Sequence, residues 1–190
     1  TVAPDENYNG DIVVTVTADD GNLTHSTSFT LTIKPVNDAP TLDELSDESV
    51  EEDGVYTLGL SGSDIDGDPL TFGASVDGNG SASIEGSTLT VIPSADFNGD
   101  IVVSVVASDG QASGSGTFTL TVTPVNDAPT IASVYDQAIN EDDSLVIPIF
   151  PTDIDGNELT LSASGDNATA DFDGTTLTVT PDENYNGDIV

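Results

Sequence analysis

The sequence predicts an all-β chain of tandem sandwich repeats about 89 residues long. Three observations carry this: the chain repeats itself, apolar residues alternate strictly in several runs, and no stretch shows a helical period with caps. SFTLTIKPVNDAPT (28–41) returns as TFTLTVTPVNDAPT (117–130), 89 positions on. At the same offset YNGDIVVTVTADDG (8–21) returns as FNGDIVVSVVASDG (97–110), and SDIDGD (63–68) as TDIDGN (152–157). TVTPDENYNGDIV (178–190) matches TVAPDENYNGDIV (1–13) in twelve of thirteen positions.

The chain is out of phase with its repeat. With PVNDAP as boundary, residues 1–36 are the second half of one repeat, 37–125 a complete one, and 126–190 the first part of a third. In the complete repeat a loose strand is expected near 46–50, then strands near 55–60, 70–75, 81–85 and 88–92. In 101–107, Ile101, Val103 and Val105 fall on one face and Val102, Ser104 and Val106 on the other. In 115–123, Phe118, Leu120 and Val122 alternate with threonines. Period two with β-branched residues is a half-buried strand. Asp66-Gly67, Glu85-Gly86, Asn98-Gly99 and Asp109-Gly110 punctuate the runs as turns. About seven short strands in roughly 100 residues is the pattern of an immunoglobulin-like sandwich. A core of this size is modest, so each repeat alone is marginal.

Composition removes several functions. Against 35 Asp and Glu stand one Lys and one His, for a formal net charge of −34. Phosphate contacts and anionic membrane surfaces both need Lys and Arg, so neither nucleic acid nor a lipid surface is an expected partner. No Cys is present, which removes disulfides and thiolate metal sites. No apolar run approaches the ~18 residues of a membrane span. The chain opens on Thr1 rather than Met and reads as a segment of something longer.

The acids collect at loops and repeat junctions, while outward strand positions are mostly Thr, Ser and Val. Glu51, Glu52 and Asp53 precede the first clear strand, and Asp64, Asp66 and Asp68 share one loop. Asp96 and Asp100 flank Phe97-Asn98-Gly99, Asp109 opens a turn, and Asn126 and Asp127 lie at the next junction. Glu141, Asp142, Asp153, Asp155 and Asn157 repeat the pattern downstream, and Asp11, Asp20, Asn37 and Asp38 upstream. Two carboxylates ~4 Å apart repel by about 4 kcal/mol at an effective dielectric of 20. With one lysine, the protein cannot supply the neutralising charge. A hard divalent ion with oxygen ligands can, and irregular acidic loops suit Ca²⁺ better than octahedral Mg²⁺.

These motifs resemble the cadherin-like tandem repeats of very large secreted bacterial surface proteins, over the whole chain. The carriers are PVNDAP at 35–40 and 124–129, EED and NED at 51–53 and 140–142, DIDGD and DIDGN at 64–68 and 153–157, FNGDI, and ASDG at 107–110. The resemblance implies Ca²⁺ between successive repeats, a stiff extracellular rod, and adhesion or matrix assembly at a bacterial cell surface. It implies Asn37, Asp38, Asp64, Asp66 and Asp109 as ligands at the first junction, with Asp11 nearby. It implies Glu52, Asp100, Asn126, Asp127, Asp153 and Asp155 at the second, and Glu141 as the counterpart of Glu52 one repeat on. The linker is one residue shorter than the cadherin NDNAP form and there is no LDRE motif, so Asp96 and Asp100 stand as substitutes and fewer ions per junction are implied.

Other readings of these residues are weaker. An EF-hand loop beginning at Asp64 would need Gly and Glu where Pro69 and Ser75 stand. Catalysis by paired carboxylates asks for a cleft with aromatic platforms, but the chain has no Trp, and its acidic motifs recur with the repeat, which marks a module rather than an active site. No enzyme is expected. Carbohydrate binding lacks aromatics for the same reason. Salt adaptation without metal would scatter acids over the strands. Asn98-Gly99 after Phe97 reads as a structural turn, and His25 as an exposed strand residue. Residues 1–36 are the final strands that 126–190 lack; fragmentation of a long repeat protein is the first explanation, and head-to-tail completion between copies into a filament is the second, beside contacts between neighbouring repeats.

Overall fold

The computed structural model describes residues 1–189, in which every regular element is a strand. The chain divides into two compact units, Thr1–Thr123 and Pro124–Val190.

The first unit begins with a hairpin, β1 (Gly10–Asp19) and β2 (Thr24–Ile33), whose strands pair antiparallel from Gly10↔Ile33 to Asp19↔Thr24. The complete repeat follows: β3 (Thr41–Leu42), β4 (Glu48–Glu51), β5 (Tyr56–Gly59), β6 (Gly62–Ser63), β7 (Thr71–Val76), β8 (Gly80–Glu85), β9 (Thr88–Pro93), β10 (Gly99–Ser108) and β11 (Ser113–Thr123). All seven expected strands are present. The two-residue β3 and β6, too short for any periodicity, join them as a small pair.

One sheet runs β4-β11-β10-β7, the other β5-β9-β8. β4 lies parallel to β11, while the other pairings are antiparallel. The inward alternation does the packing. Ile101, Val103 and Val105 of β10 and Phe118, Leu120 and Val122 of β11 meet Leu89 and Val91 of β9 in one buried cluster with Leu60. Each such side chain contributes ~1.5–3 kcal/mol on burial. Tyr56 and Phe118 add a tilted ring contact with centroids 5.9 Å apart. Outward positions Val102 and Val106 stay exposed, as a one-sided strand requires.

The turns recur with the repeat. Asn7, Asp96 and Asn184 hold left-handed φ near +60°, as do the counterparts Asp53 and Asp142, and Asn79 and Asn167. Asn and Asp tolerate this region because their short side chains bond the local backbone. Beside one of these turns, Gly99 has φ +132°, and a Cβ there would lie 3.3 Å from the Phe97 ring. The Asn98-Gly99 pair is thus a structural turn capped by an aromatic ring.

The second unit contains β12 (Thr130–Ile131), β13 (Leu145–Pro148), β14 (Pro151–Thr152), β15 (Ala168–Asp173) and β16 (Thr176–Pro181). Its three-stranded sheet, β13-β16-β15, repeats the β5-β9-β8 sheet pair for pair. Leu145↔Val179 and Ala170↔Val179 match Tyr56↔Val91 and Ala82↔Val91.

Candidate metal centre

Three acidic sites follow from this frame, two at the poles of the complete repeat and one at the start of the second unit. At the N-terminal pole, the loop between β6 and β7 is folded by one carboxylate. Asp64 Oδ1 accepts the backbone N–H of Asp66 at 2.9 Å and of Asp68 at 3.4 Å. Gly67 makes the loop possible with φ +79°. The other oxygen, Asp64 Oδ2, is buried with no hydrogen-bond donor. A buried anionic oxygen without a donor carries a desolvation cost that a cation removes.

The linker is tied to this loop. Asp66 Oδ2 accepts the Asp38 N–H at 2.8 Å. Asn37 Nδ2 donates to Asp38 O at 2.8 Å and to Asp109 Oδ2 at 2.9 Å, while its Oδ1 accepts from Gln111 Nε2 at 2.8 Å. Asp109 Oδ1 accepts the N–H groups of Gln111 and Ala112, both at 2.6 Å. The bond from Ala112, then that from Asn37, then that from Gln111 hold the Asp109 carboxyl below its ordinary 3.8. The chain of bonds from Asp66 through Asp38 and Asn37 to Asp109 joins four of the five residues assigned to the first junction, and Asp66 N–H binds the fifth, Asp64. Asp11 is instead engaged across its own hairpin by Thr32 Oγ1 at 2.6 Å.

At the C-terminal pole Glu52 is 4% exposed. Its N–H bonds Thr123 O at 2.9 Å, and its Oε2 accepts from Asn98 Nδ2 at 3.5 Å. Two left-handed turns bring Asp53 and Asp96 together: Asp96 N–H donates to Asp53 Oδ1 at 3.3 Å, and carboxylate oxygens of the two lie within 4.8 Å. Exposed charges at that distance repel by about 1 kcal/mol. The sequence names Asp96 with Asp100 as a substitute for the absent LDRE motif but does not assign Asp53 as a ligand, because only the meeting of two turns in space pairs Asp53 with Asp96. The available signal was their left-handed turn chemistry, which recurs as Asp142 and Asn184. Asp100 sits on β10 and accepts from Thr121 Oγ1 at 2.8 Å, so its carboxylate is held along the strand pair.

In the second unit the linker bond returns. Asp127 N–H donates to Asp155 Oδ2 at 2.7 Å, and carboxylate oxygens of the two lie within 4.8 Å. Asn126 Nδ2 reaches Asp127 O at 2.8 Å, and Asn157 bonds both Asn126 Oδ1 at 2.8 Å and Asp153 Oδ1 at 3.1 Å. Asn157 does for Asn126 what Gln111 does for Asn37. Glu141 is exposed on a turn, unlike its counterpart Glu52. Glu52, Asp53 and Asp96 in the first unit and Asp127 and Asp155 in the second are acids that could supply a metal with oxygen ligands. The donor set is carboxylate, carboxamide and carbonyl oxygen throughout, the chemistry of a hard cation, and the donorless Asp64 Oδ2 fits one.

Comparison with known protein families agrees with this architecture. A family model described as bacterial Ig domain matches residues 37–123 and again 126–190. Chitinase A of Pseudoalteromonas piscicida is 27% identical over 158 residues, covering 78% of this chain and 19% of the chitinase. The chain therefore spans about a fifth of that relative's length. Among solved structures, Drosophila N-cadherin EC1-3 aligns with a TM-score of 0.39 at 15% identity, covering 62% of this chain and 44% of that one. Domains 4–9 of the surface layer protein SbsC align with a TM-score of 0.38 at 17% identity, over 91% of this chain and 31% of that one. Two family matches in tandem take in most of the 190 residues, and the chain belongs to the bacterial Ig domain family.

Proposed function

We propose that this chain is a calcium-stabilised repeat module of a large extracellular bacterial protein, acting as a stiff spacer in adhesion, matrix or surface assembly. The observation that carries the reading is the donorless, buried Asp64 Oδ2 beside a linker already bonded to the same loop. At the N-terminal pole of the complete repeat, Asp64 and Asp66 would hold the ion, with Asn37, Asp38 and Asp109 around them. Glu52, Asp53 and Asp96, and Asn126, Asp127, Asp153 and Asp155, are the corresponding donors further along. Bound Ca²⁺ would supply positive charge where the chain has almost none, and neighbouring repeats would share it, because the acidic motifs recur beside the recurring PVNDAP linker. The spacer role extends to an accessory region joined to a catalytic domain, a setting that the likeness to part of a chitinase supports. The reading assigns no catalysis to the chain.

Calorimetric titration with Ca²⁺, and melts in calcium and in chelator, test this. An ion that binds only the folded form adds about 2.7 kcal/mol at a hundredfold excess over its Kd, and extracellular modules work at ~0.1–1 mM. Heat of binding with a raised melt is expected. No heat and superimposable melts would leave an acidic, salt-adapted spacer without metal.

A further inference from the structure

The linker ahead of β3 is held by a closed ring of three side chains, and the ring forms without an ion. A carboxylate only accepts, so the Asn37 group that meets Asp109 Oδ2 at 2.9 Å must be its Nδ2 amide. The same amide donates to Asp38 O at 2.8 Å. Two acceptors thereby fix which way the carboxamide points, and Asn37 Oδ1 is left needing a donor. Gln111 Nε2 supplies it at 2.8 Å. Gln111 also donates its backbone N–H to Asp109 Oδ1 at 2.6 Å, which closes the ring. Asn37 and Asp109 are half-buried in it, and Gln111 lies exposed on the rim.

The same cap is met elsewhere from a different position. In the second unit Asn126 Nδ2 reaches Asp127 O at 2.8 Å, and Asn126 Oδ1 accepts from Asn157 Nδ2 at 2.8 Å. Asn157 ends the DIDGN loop, where the complete repeat has Asp68. An aspartate carboxylate cannot donate, so in the complete repeat the donor comes from the turn between β10 and β11 instead. That turn recurs as Asp20-Gly21-Asn22, again with a carboxamide after the glycine. There Asp20 Oδ1 accepts the N–H groups of Asn22 at 2.9 Å and Leu23 at 2.8 Å.

We propose that Gln111 is a positioning residue, which clasps the linker to the complete repeat through Asn37 and Asp109 and turns Asn37 toward these partners instead of toward a cation. Gln111 holds the Asn37 carboxamide, Asn37 holds the Asp38 carbonyl, and Asp38 offers its N–H to Asp66 Oδ2 at 2.8 Å. Asp64 Oδ2 then remains as the oxygen open to an ion. The clasp itself stands without metal, while its effect on calcium affinity rests on the calcium reading above. Groups that orient metal ligands from behind change affinity by roughly 10–100-fold.

Amide exchange on the full chain in chelator tests the clasp first. Gln111→Ala should speed exchange at Asp38 roughly tenfold, as loss of one such bond implies, and leave the β10 amides unchanged. Adding Asp68→Asn to Gln111→Ala should restore protection, because it places a carboxamide where the second unit has Asn157. A side chain that merely packs admits no such rescue. Calorimetric titration of Gln111→Ala should then show a calcium Kd raised roughly tenfold. Asn37→Asp separates positioning from ligation. It sets a second acceptor against Asp109 and should weaken calcium binding, whereas a direct ligand given a full charge would hold the ion at least as tightly. Asp38 exchange indifferent to Gln111→Ala, or undiminished calcium affinity in Asn37→Asp, would overturn the proposal. If no form of the chain binds calcium, the calcium reading fails and the affinity effect with it, and exchange at Asp38 in chelator alone decides the clasp.

Discussion

Phe118 and Phe29 are the same residue of the repeat in two settings, and truncating each measures what the sandwich core contributes. Phe118→Ala deletes a ring that is 3% exposed and meets Tyr56 in a tilted contact with centroids 5.9 Å apart. Phe→Ala in a core costs about 3–5 kcal/mol, of which an aromatic pair supplies about 0.5–1.5. We expect about 4 kcal/mol, a fall of roughly 15–30 °C for a repeat of this size. Phe29→Ala removes a ring already 53% exposed on a two-stranded hairpin, and at low concentration it should cost under ~1 kcal/mol. Hydrogen exchange followed at the amides of β10, on dilute protein, reads the stability of the complete repeat without interference from the other segments. Equal effects from the two substitutions, or a loss under ~1.5 kcal/mol for Phe118→Ala, would refute the assignment of the core.

Asp64→Asn should remove most of the calcium-induced rise in melting temperature while leaving the melt in chelator unchanged or higher, because the buried oxygen without a donor is what the ion relieves. Asp109 has a folded-state pKa below 3.8. Its contribution is therefore complete above the unfolded value and fades as pH falls through the folded one. In chelator, Asp109→Asn should flatten the loss of stability seen below about pH 4, measured by melts across pH. Gly114→Ala should cost about 1–3 kcal/mol in urea titrations, since the added Cβ would meet the Pro40 carbonyl, which is backbone and cannot step aside.

The strands of the complete repeat were legible because period two leaves a mark in residues such as Ile101, Val103 and Val105, whose inward positions follow from alternation alone. β3, β6, β12 and β14 were not, since a two-residue ladder has no period. Within the site, Asp64 and Asp66 were readable from a motif that returns beside its linker. The engagement of Asn37 with Asp109 is a contact between residues 72 apart, and no local pattern specifies whether such groups face a ligand or each other. The pairing of Asp53 with Asp96 escaped for a related reason. Each looks like an ordinary turn residue, and only the fold makes them neighbours. Glu52 was set apart from the acids beside it by the family resemblance alone, and its 4% exposure is what separates it from them in the fold.

The parallel alliance of β4 with β11 has a consequence for load. The chain enters the complete repeat ahead of β4 and leaves it from the end of β11, and both strands run the same way. Tension applied through the linkers therefore slides the two strands past one another. The bonds between Leu120↔Glu48 and Thr123↔Glu51 are strained together in shear instead of unzipping one at a time. A string of such repeats would resist pulling through a short patch of backbone.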